Sequence, residues 1–334
     1  MRILVVANLF PMPHCPTSGT FVKQSLEGLR RAGVNVDLVF VDRVGKGRIA
    51  YIGLRKAVRK KVADFRPHLV HVMYGGLQAA VVTRIVTDRP VVVSFFGSDV
   101  LGGAFHSPLR RLTVHLGVRA SSLAARRAAG VIVMSREMQR ALGRTVDTSK
   151  LWVIPEGVDM ERFRPLNRAD CLRSLAWSEN SYHVLTPAHR GRPVKRLELA
   201  QSAVERLKQE GKSVLLHQLV EVPYAEVPVW LNASDVLLLT SYHEGSPNIV
   251  KQALACNRPV VSVDVGDVRE RIEGVEGCHL AGPETEGLAD QLRAVLAGSG
   301  VVEGRVKVQE LSIERVASRL RDVYSTVLAR ARGG

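Results

Sequence analysis

Short apolar runs alternate with amphipathic stretches along the whole chain. Runs at residues 3–7, 34–41, 69–73, 91–95, 131–134 and 151–154 are rich in Val, Ile and Leu. They are continuous rather than alternating, which predicts strands covered on both faces, as in a parallel sheet. Between the first two runs, residues 21–32 carry a helical pattern that ends at Gly33, a residue suited to the left-handed turn that closes a helix. In residues 49–65, Tyr51, Leu54, Val58, Val62 and Phe65 recur every three or four positions, predicting one helix that Pro67 stops. A second series of strand-like runs follows at 184–186, 213–219, 236–239, 259–263 and near His279 and Leu280. Helices are predicted among them at 196–210, 227–233, 247–255 and 286–297, and an Arg-rich helix at 313–330 ends the chain.

This alternation argues an α/β chain of parallel sheets with helices on both faces. The 334 residues, 46% of them hydrophobic, suffice for two cores. Two Rossmann-like halves are the economical reading, with the break between residues 155 and 181. Charge supports the division. Lys and Arg outnumber Asp and Glu by 24 to 8 in residues 1–150, whereas residues 151–334 hold 23 against 24. The basic half points to an anionic partner. Membrane lipid fits better than nucleic acid, because no nucleic-acid motif is present and only 5% of residues are aromatic. Arg55, Lys56, Arg59 and Lys60 oppose the apolar face of the 49–65 helix, and Arg110 and Arg111 open a second basic group. A solvated helix face is the plainer reading of such runs. The four cysteines are far apart and lack His partners at metal-ligand spacing, which argues against a disulfide framework or a zinc site and fits a reducing cytosol. The first apolar run is short and leads into a Pro/Gly loop, so it reads as a strand rather than a signal peptide. No stretch is long and apolar enough to predict a transmembrane helix.

Candidate chemistry falls where strands end. After the 236–239 run comes Glu244-Gly245-Ser246-Pro247-Asn248. Gly245 permits unusual dihedrals, Ser246 suits an N-cap and Pro247 the first helical position. A helix start offers free N–H groups and partial positive charge to a diphosphate. Glu244 would either accept bonds from sugar hydroxyls beside that diphosphate or neutralise the helix dipole. Gln252, further along the helix, would either reach a ribose hydroxyl or be solvated. A second loop, His189-Arg190-Gly191-Arg192-Pro193-Val194-Lys195-Arg196, follows the 184–186 run and is either a phosphate clamp or a solvated basic loop. In the first half, Gly19 lies in a small-residue turn at a helix start, without a dinucleotide fingerprint. Asp99 follows Phe96-Gly97-Ser98 and is either an active-site carboxylate or a cap.

Together these residues resemble the metal-independent, retaining glycosyltransferases of family four. The resemblance rests on Glu244 to Asn248 with Ile249 and Gln252, and on Pro259-Val260-Val261 beyond them. It also covers Val153 to Asp159, Arg190 with Lys195, Gly19, and Gly97-Ser98-Asp99. It implies a GT-B fold: Rossmann-like domains at 1–155 and 156–312 facing a central interdomain cleft, with 313–334 packing back toward the first. The second domain would bind a UDP- or GDP-sugar. The first would bind a glycan or lipid-linked acceptor of cell-surface polysaccharide or glycolipid synthesis, with peripheral contact to an anionic inner membrane face. Glu244, Arg190, Lys195 and Asp99 would be catalytic. Gly19, Gly245, Ser246, Pro247, Asn248, Ile249 and Gln252 would hold the donor, and no metal or other cofactor would be needed. The sequence departs from the family pattern in three places: Gln252 and Phe96 stand where the family has Glu and His, and Glu156 stands for Asn. These departures keep a catalytically degenerate GT-B scaffold, or an epimerase on the same architecture, as alternatives.

Overall fold

The computed structural model describes residues 1–103, 108–188, 193–298 and 300–333, and at residues 48 and 108–110 the backbone only. The chain divides into two compact units, residues 1–157 with the C-terminal helix from Ile313, and Val158–Ser312.

In the first unit the elements run β1 (Arg2–Ala7), α1 (Thr20–Arg31), β2 (Asn35–Phe40), α2 (Arg43–Lys46), α3 (Leu54–Phe65), β3 (Leu69–Met73), α4 (Leu77–Ile85), β4 (Val91–Phe95), α5 (Pro108–Arg127), β5 (Gly130–Val133), α6 (Arg136–Gly143) and β6 (Leu151–Val153). The second holds α7 (Arg168–Leu175), β7 (Tyr182–Pro187), α8 (Leu197–Gln209), β8 (Val214–Leu219), α9 (Val227–Ala233), β9 (Val236–Leu239), α10 (Asn248–Ala255), β10 (Val260–Val263), α11 (Val268–Ile272), β11 (His279–Ala281), α12 (Thr285–Leu296) and α13 (Gly304–Val308). Helix α14 (Ile313–Gly333) returns to the first unit.

Both sheets are parallel. Their orders are β2-β1-β3-β4-β5-β6 and β11-β10-β9-β7-β8, the same doubly wound arrangement built twice. Its topological switch points lie between β1 and β3 and between β7 and β9, where successive connections leave toward opposite faces. Ligands of such sheets bind outside the carboxyl ends at those points. The central strands β3, β4, β5, β9 and β10 are buried along their whole length, as their continuous apolar runs predict, whereas the edge strands β2 and β8 carry exposed residues.

Helix α14 is fastened by packing and by a buried polar chain. Gly28 of α1 admits it closely: a Cβ there would lie 2.6 Å from Ile313 Cγ2. Inside, His71 of β3 bonds Ser94 Oγ through Nε2 and Tyr324 Oη through Nδ1, each at 2.7 Å. All three residues are buried, and burial pushes the His71 imidazole down to about 3.

Two predicted helices need correction. The 49–65 helix is interrupted: a 3-10 turn spans Gly47–Tyr51, and Gly53 at φ 89° restarts the chain as α3 at Leu54. The left-handed dihedral is easy only for glycine, so the apolar period continues through a real break. The helix predicted to begin at Pro247 begins at Asn248, with Pro247 as an extended N-cap. Helices α4 and α5 carried no helical prediction. The segment LQAAVVTRI of α4 centres on a short apolar run, AAVV, and periodicity does not separate a half-buried helix of that length from a strand.

Candidate active site

The loops that leave β7 and β9 are sewn together at the second unit's switch point. His189, Arg190 and Arg192 lie outside the described residues. From Pro193 a single 3-10 turn leads to Arg196, whose φ of 45° turns the chain into α8. Thr240, the first residue beyond β9, donates its hydroxyl to the Lys195 carbonyl at 2.8 Å and the Arg196 carbonyl at 3.0 Å. Arg196 Nε donates to the Thr240 carbonyl at 2.5 Å, its guanidinium lies 4.5 Å above the Tyr242 ring, and Tyr242 N donates to Val194 O at 2.9 Å. Arg196 was read only as one cation of a phosphate clamp or solvated loop, and Thr240 and Tyr242 received no role from the sequence. Only their position at strand ends marked them.

This stitching presents Lys195 to Glu244. The ammonium Nζ lies 2.6 Å from Glu244 Oε1, and the two side chains are only 23% and 18% exposed. A pair this sheltered interacts more strongly than a surface ion pair. It places a positive point charge and a two-oxygen acceptor side by side at the mouth of a parallel sheet. A ligand bringing both an anion and hydroxyls would take over the two partners together.

Behind Glu244, Ser246 does something other than cap. Its hydroxyl donates to Asp267 Oδ2 at 2.9 Å and accepts from Lys251 Nζ at 3.1 Å. Lys251 is fully buried, and Asp267 is 1% exposed. Burial raises the Asp267 carboxyl above its ordinary range, and Lys251, Arg271 and the Ser246 hydroxyl oppose that rise. Arg271 Nε lies 3.1 Å from Asp267 Oδ2, and Arg271 Nη1 continues the chain to Glu310 at 3.1 Å. Gly266 has φ 58°, and a Cβ on it would stand 2.8 Å from the Gly245 carbonyl. The Glu244–Ser246 loop is therefore clamped from beneath by the 266–267 turn. Nothing in the sequence distinguished Lys251 from a solvated lysine.

The remaining predicted donor residues surround this point. Asn248 opens α10, and its Oδ1 is buried without a hydrogen-bond partner among the described residues. Ile249 packs against the apolar core. Gln252 is buried rather than solvated, with Nε2 donating to Tyr224 Oη at 3.4 Å.

In the first unit, Gly19 caps α1 at φ 68°, and a Cβ there would lie 2.3 Å from the Leu9 carbonyl carbon. Phe96 is held by Tyr74, nearly parallel at 6.1 Å, and by Phe21 at 4.9 Å. Asp99 turns inward: it accepts from the N–H groups of Gly75 at 2.8 Å, Gly97 at 2.9 Å and Phe96 at 3.0 Å. Burial raises its pKa against those three donors. Asp99 thus ties the turn at Phe96 and Gly97 to Gly75, with both carboxylate oxygens engaged by backbone donors. Arg55, Lys56 and Arg59 are exposed on α3, whereas Lys60 pairs with Asp64 at 2.7 Å. Arg111 is exposed at the start of α5, and the side chain of Arg110 lies outside the described residues. Among the described residues, no three His, Cys, Asp or Glu side chains gather as a metal site would require, and no helix is long and apolar enough to cross a membrane.

Comparison with known proteins agrees in both halves. The chain is 28% identical over 331 aligned positions, 80% of its length and 82% of the relative's, to a Bacillus subtilis glycosyltransferase named for teichuronic acid biosynthesis. It spans about half the length of other curated relatives that it matches. Among solved structures it superposes on sucrose-phosphate synthase of Thermosynechococcus elongatus with a TM-score of 0.79 at 19% identity, covering 99% of this chain and 100% of the other. HepE of Anabaena, in complex with UDP and glucose, superposes with a TM-score of 0.71 at 16% identity over 96% and 99% of the two chains. These likenesses show the GT-B fold. Residues 18–162 match the profile described as Glycosyltransferase Family 4, and residues 190–298 that of Glycosyl transferases group 1. With both halves matched in order, the chain belongs to the family-four, group 1 glycosyltransferases.

Proposed function

We propose that this glycosyltransferase is a retaining hexosyltransferase that uses a UDP- or GDP-sugar, without a metal, and delivers to a glycan or lipid-linked acceptor of cell-surface polysaccharide or glycolipid synthesis. The Lys195–Glu244 pair at the β7/β9 switch point carries the reading. When the glycosidic bond breaks, charge develops on the leaving diphosphate, and a preorganised cation beside it offsets that charge. Lys195 takes this role, shared with Arg190 as the resemblance implies, so no metal is called for. Glu244 accepts bonds from hydroxyls of the transferred sugar, and the start of α10 offers N–H groups to the diphosphate. Retention follows if the acceptor attacks from the face that the leaving group departs. HepE, solved with UDP and glucose, supports a UDP-sugar, and the relative named for teichuronic acid biosynthesis supports a polymer of the cell surface.

A panel of UDP-, GDP- and ADP-sugars tests the donor. One of them should raise thermal stability by mass action. It should also release nucleotide in the presence of cell-envelope acceptors, at the same rate with and without EDTA. Binding without release would instead support a degenerate scaffold. Product formed without an acceptor would indicate an epimerase. Contact with an anionic membrane belongs to the same proposal, motivated by exposed Ile49 (70%) and Ile52 (80%) beside Arg55, Lys56 and Arg59. Flotation with anionic liposomes should weaken as salt rises.

A further inference from the structure

The first unit has its own switch point, between β1 and β3, and a pocket of about 460 Å³ opens there. Its polar wall comes from residues just beyond three strand ends and from the segment after β2. Asn8 follows β1 and is 1% exposed. Its Nδ2 donates to Tyr51 Oη at 3.1 Å, while its Oδ1 is buried with no hydrogen-bond partner among the described residues. Tyr74 Oη and Ser98 Oγ, 2.8 Å apart, stand beyond β3 and β4. Arg43 of α2 supplies a cation to the lining. The acidic lining residue, Asp99, has its carboxylate committed to three backbone N–H groups. An unsatisfied acceptor buried in a pocket wall asks for a donor from a ligand, such as a hydroxyl.

The opposite wall is apolar and leads outward. Leu77 and Leu116 line the pocket yet remain 53% and 54% exposed. Leu112 and Leu123, 56% and 47% exposed, continue from Leu116 along one face of α5 at spacings of four and seven. Residues so spaced share a helix face. One end of this feature thus suits a hydroxyl-bearing anion, and the other suits a hydrocarbon. Neither a free glycan nor inorganic phosphate would use both.

We propose that this pocket is the acceptor site and takes an amphiphile: an anionic, hydroxyl-bearing head group between Arg43 and Asn8, joined to an apolar chain that runs along Leu77 and Leu116. The inference rests on the reading of the first unit as the acceptor unit and chooses the lipid-linked acceptor over the free glycan. It treats Ile49 and Ile52 as a separate surface, so the bilayer itself is not the occupant.

The test uses the full chain with alkyl phosphates below their micelle concentrations, measured by calorimetry without any donor. Octyl phosphate should bind saturably. Affinity should fall about three- to fourfold for each methylene removed through hexyl to butyl phosphate. Inorganic phosphate and octyl glucoside should each bind at least about tenfold more weakly than octyl phosphate. Arg43→Gln should weaken octyl phosphate about tenfold and flatten the difference from octyl glucoside. Leu116→Asn should flatten the dependence on chain length, with each variant melting at the wild-type temperature. Affinity independent of chain length, or unmoved by both variants, would overturn the proposal. Donor binding is scored separately, by the thermal-shift panel on the second unit's site. Failure of that panel would sink the donor reading, whereas failure of the alkyl phosphate series would sink this one alone.

Discussion

Acid should loosen the first unit through His71, and the structure sets the size of the effect. In the unfolded chain this imidazole titrates near its ordinary pKa of about 6.5. In the folded chain, burial between Ser94 and Tyr324 holds it down to about 3. A histidine whose folded pKa is lowered contributes stability that is fully present above the unfolded pKa. That stability is lost as pH falls from 6.5 toward the folded value, because only the unfolded state gains the proton. Between pH 7 and pH 5 the loss is about 2 kcal/mol. His217, pushed down to about 4 by burial and by His183, acts in the same direction but in the other unit. The perturbation is therefore His71→Gln, which keeps a donor and an acceptor without a titrating ring. Urea unfolding followed by the fluorescence of Trp152, which lies beneath Arg330 of α14, reports this unit once Trp177 and Trp230 are replaced by Phe in both proteins. The parent should lose about 2 kcal/mol more than the His71→Gln variant between the two pH values. Equal losses would refute the claim that a buried neutral His71 fastens α14.

Three further outcomes follow from the geometry. Gly19→Ala should destabilise the first unit by more than about 2 kcal/mol, read as a lower melting temperature, because the left-handed dihedral and the Leu9 backbone both exclude a Cβ. Lys251→Met should cost about 3–5 kcal/mol in urea unfolding of the second unit, since it leaves the Asp267 carboxylate buried with one fewer cation. Gln252→Glu should leave donor affinity equal or tighter by calorimetry, because the Tyr224 hydroxyl, which accepts from Gln252 Nε2 at 3.4 Å, can turn to donate to a carboxylate oxygen placed there.

What the sequence made legible was whatever depends on local pattern. Strands β3 and β4 run over the predicted residues, since a run such as LVHVM, apolar but for His71, at the centre of a parallel sheet needs no partner to be recognised. Gly33, with φ 77°, closes α1 as its position suggested. The break at Gly53 was hidden because the apolar period on either side continues unchanged. The loop around Ser246 shows the larger limit. Its residues were singled out correctly as a strand-to-helix turn, but the hydroxyl points to Lys251 and Asp267, and a cap and a buried network look identical in sequence. Asp99 likewise followed a strand as an active-site carboxylate would, and only the three N–H groups aimed at it show that it holds the loop. Contacts such as His71 with Tyr324, 253 positions apart, have no local signature at all.

The grip on the donor is the pairing proposed for Lys195 with Glu244. The decisive measurement is kcat/KM for the nucleotide sugar found in the panel, compared among the parent, Lys195→Met and Glu244→Gln, with circular dichroism confirming the fold. Each variant should lose about 10²–10³ in kcat/KM, as removal of one preorganised charge or acceptor at a developing leaving group does. Turnover unchanged in either folded variant would contradict that role for the pair.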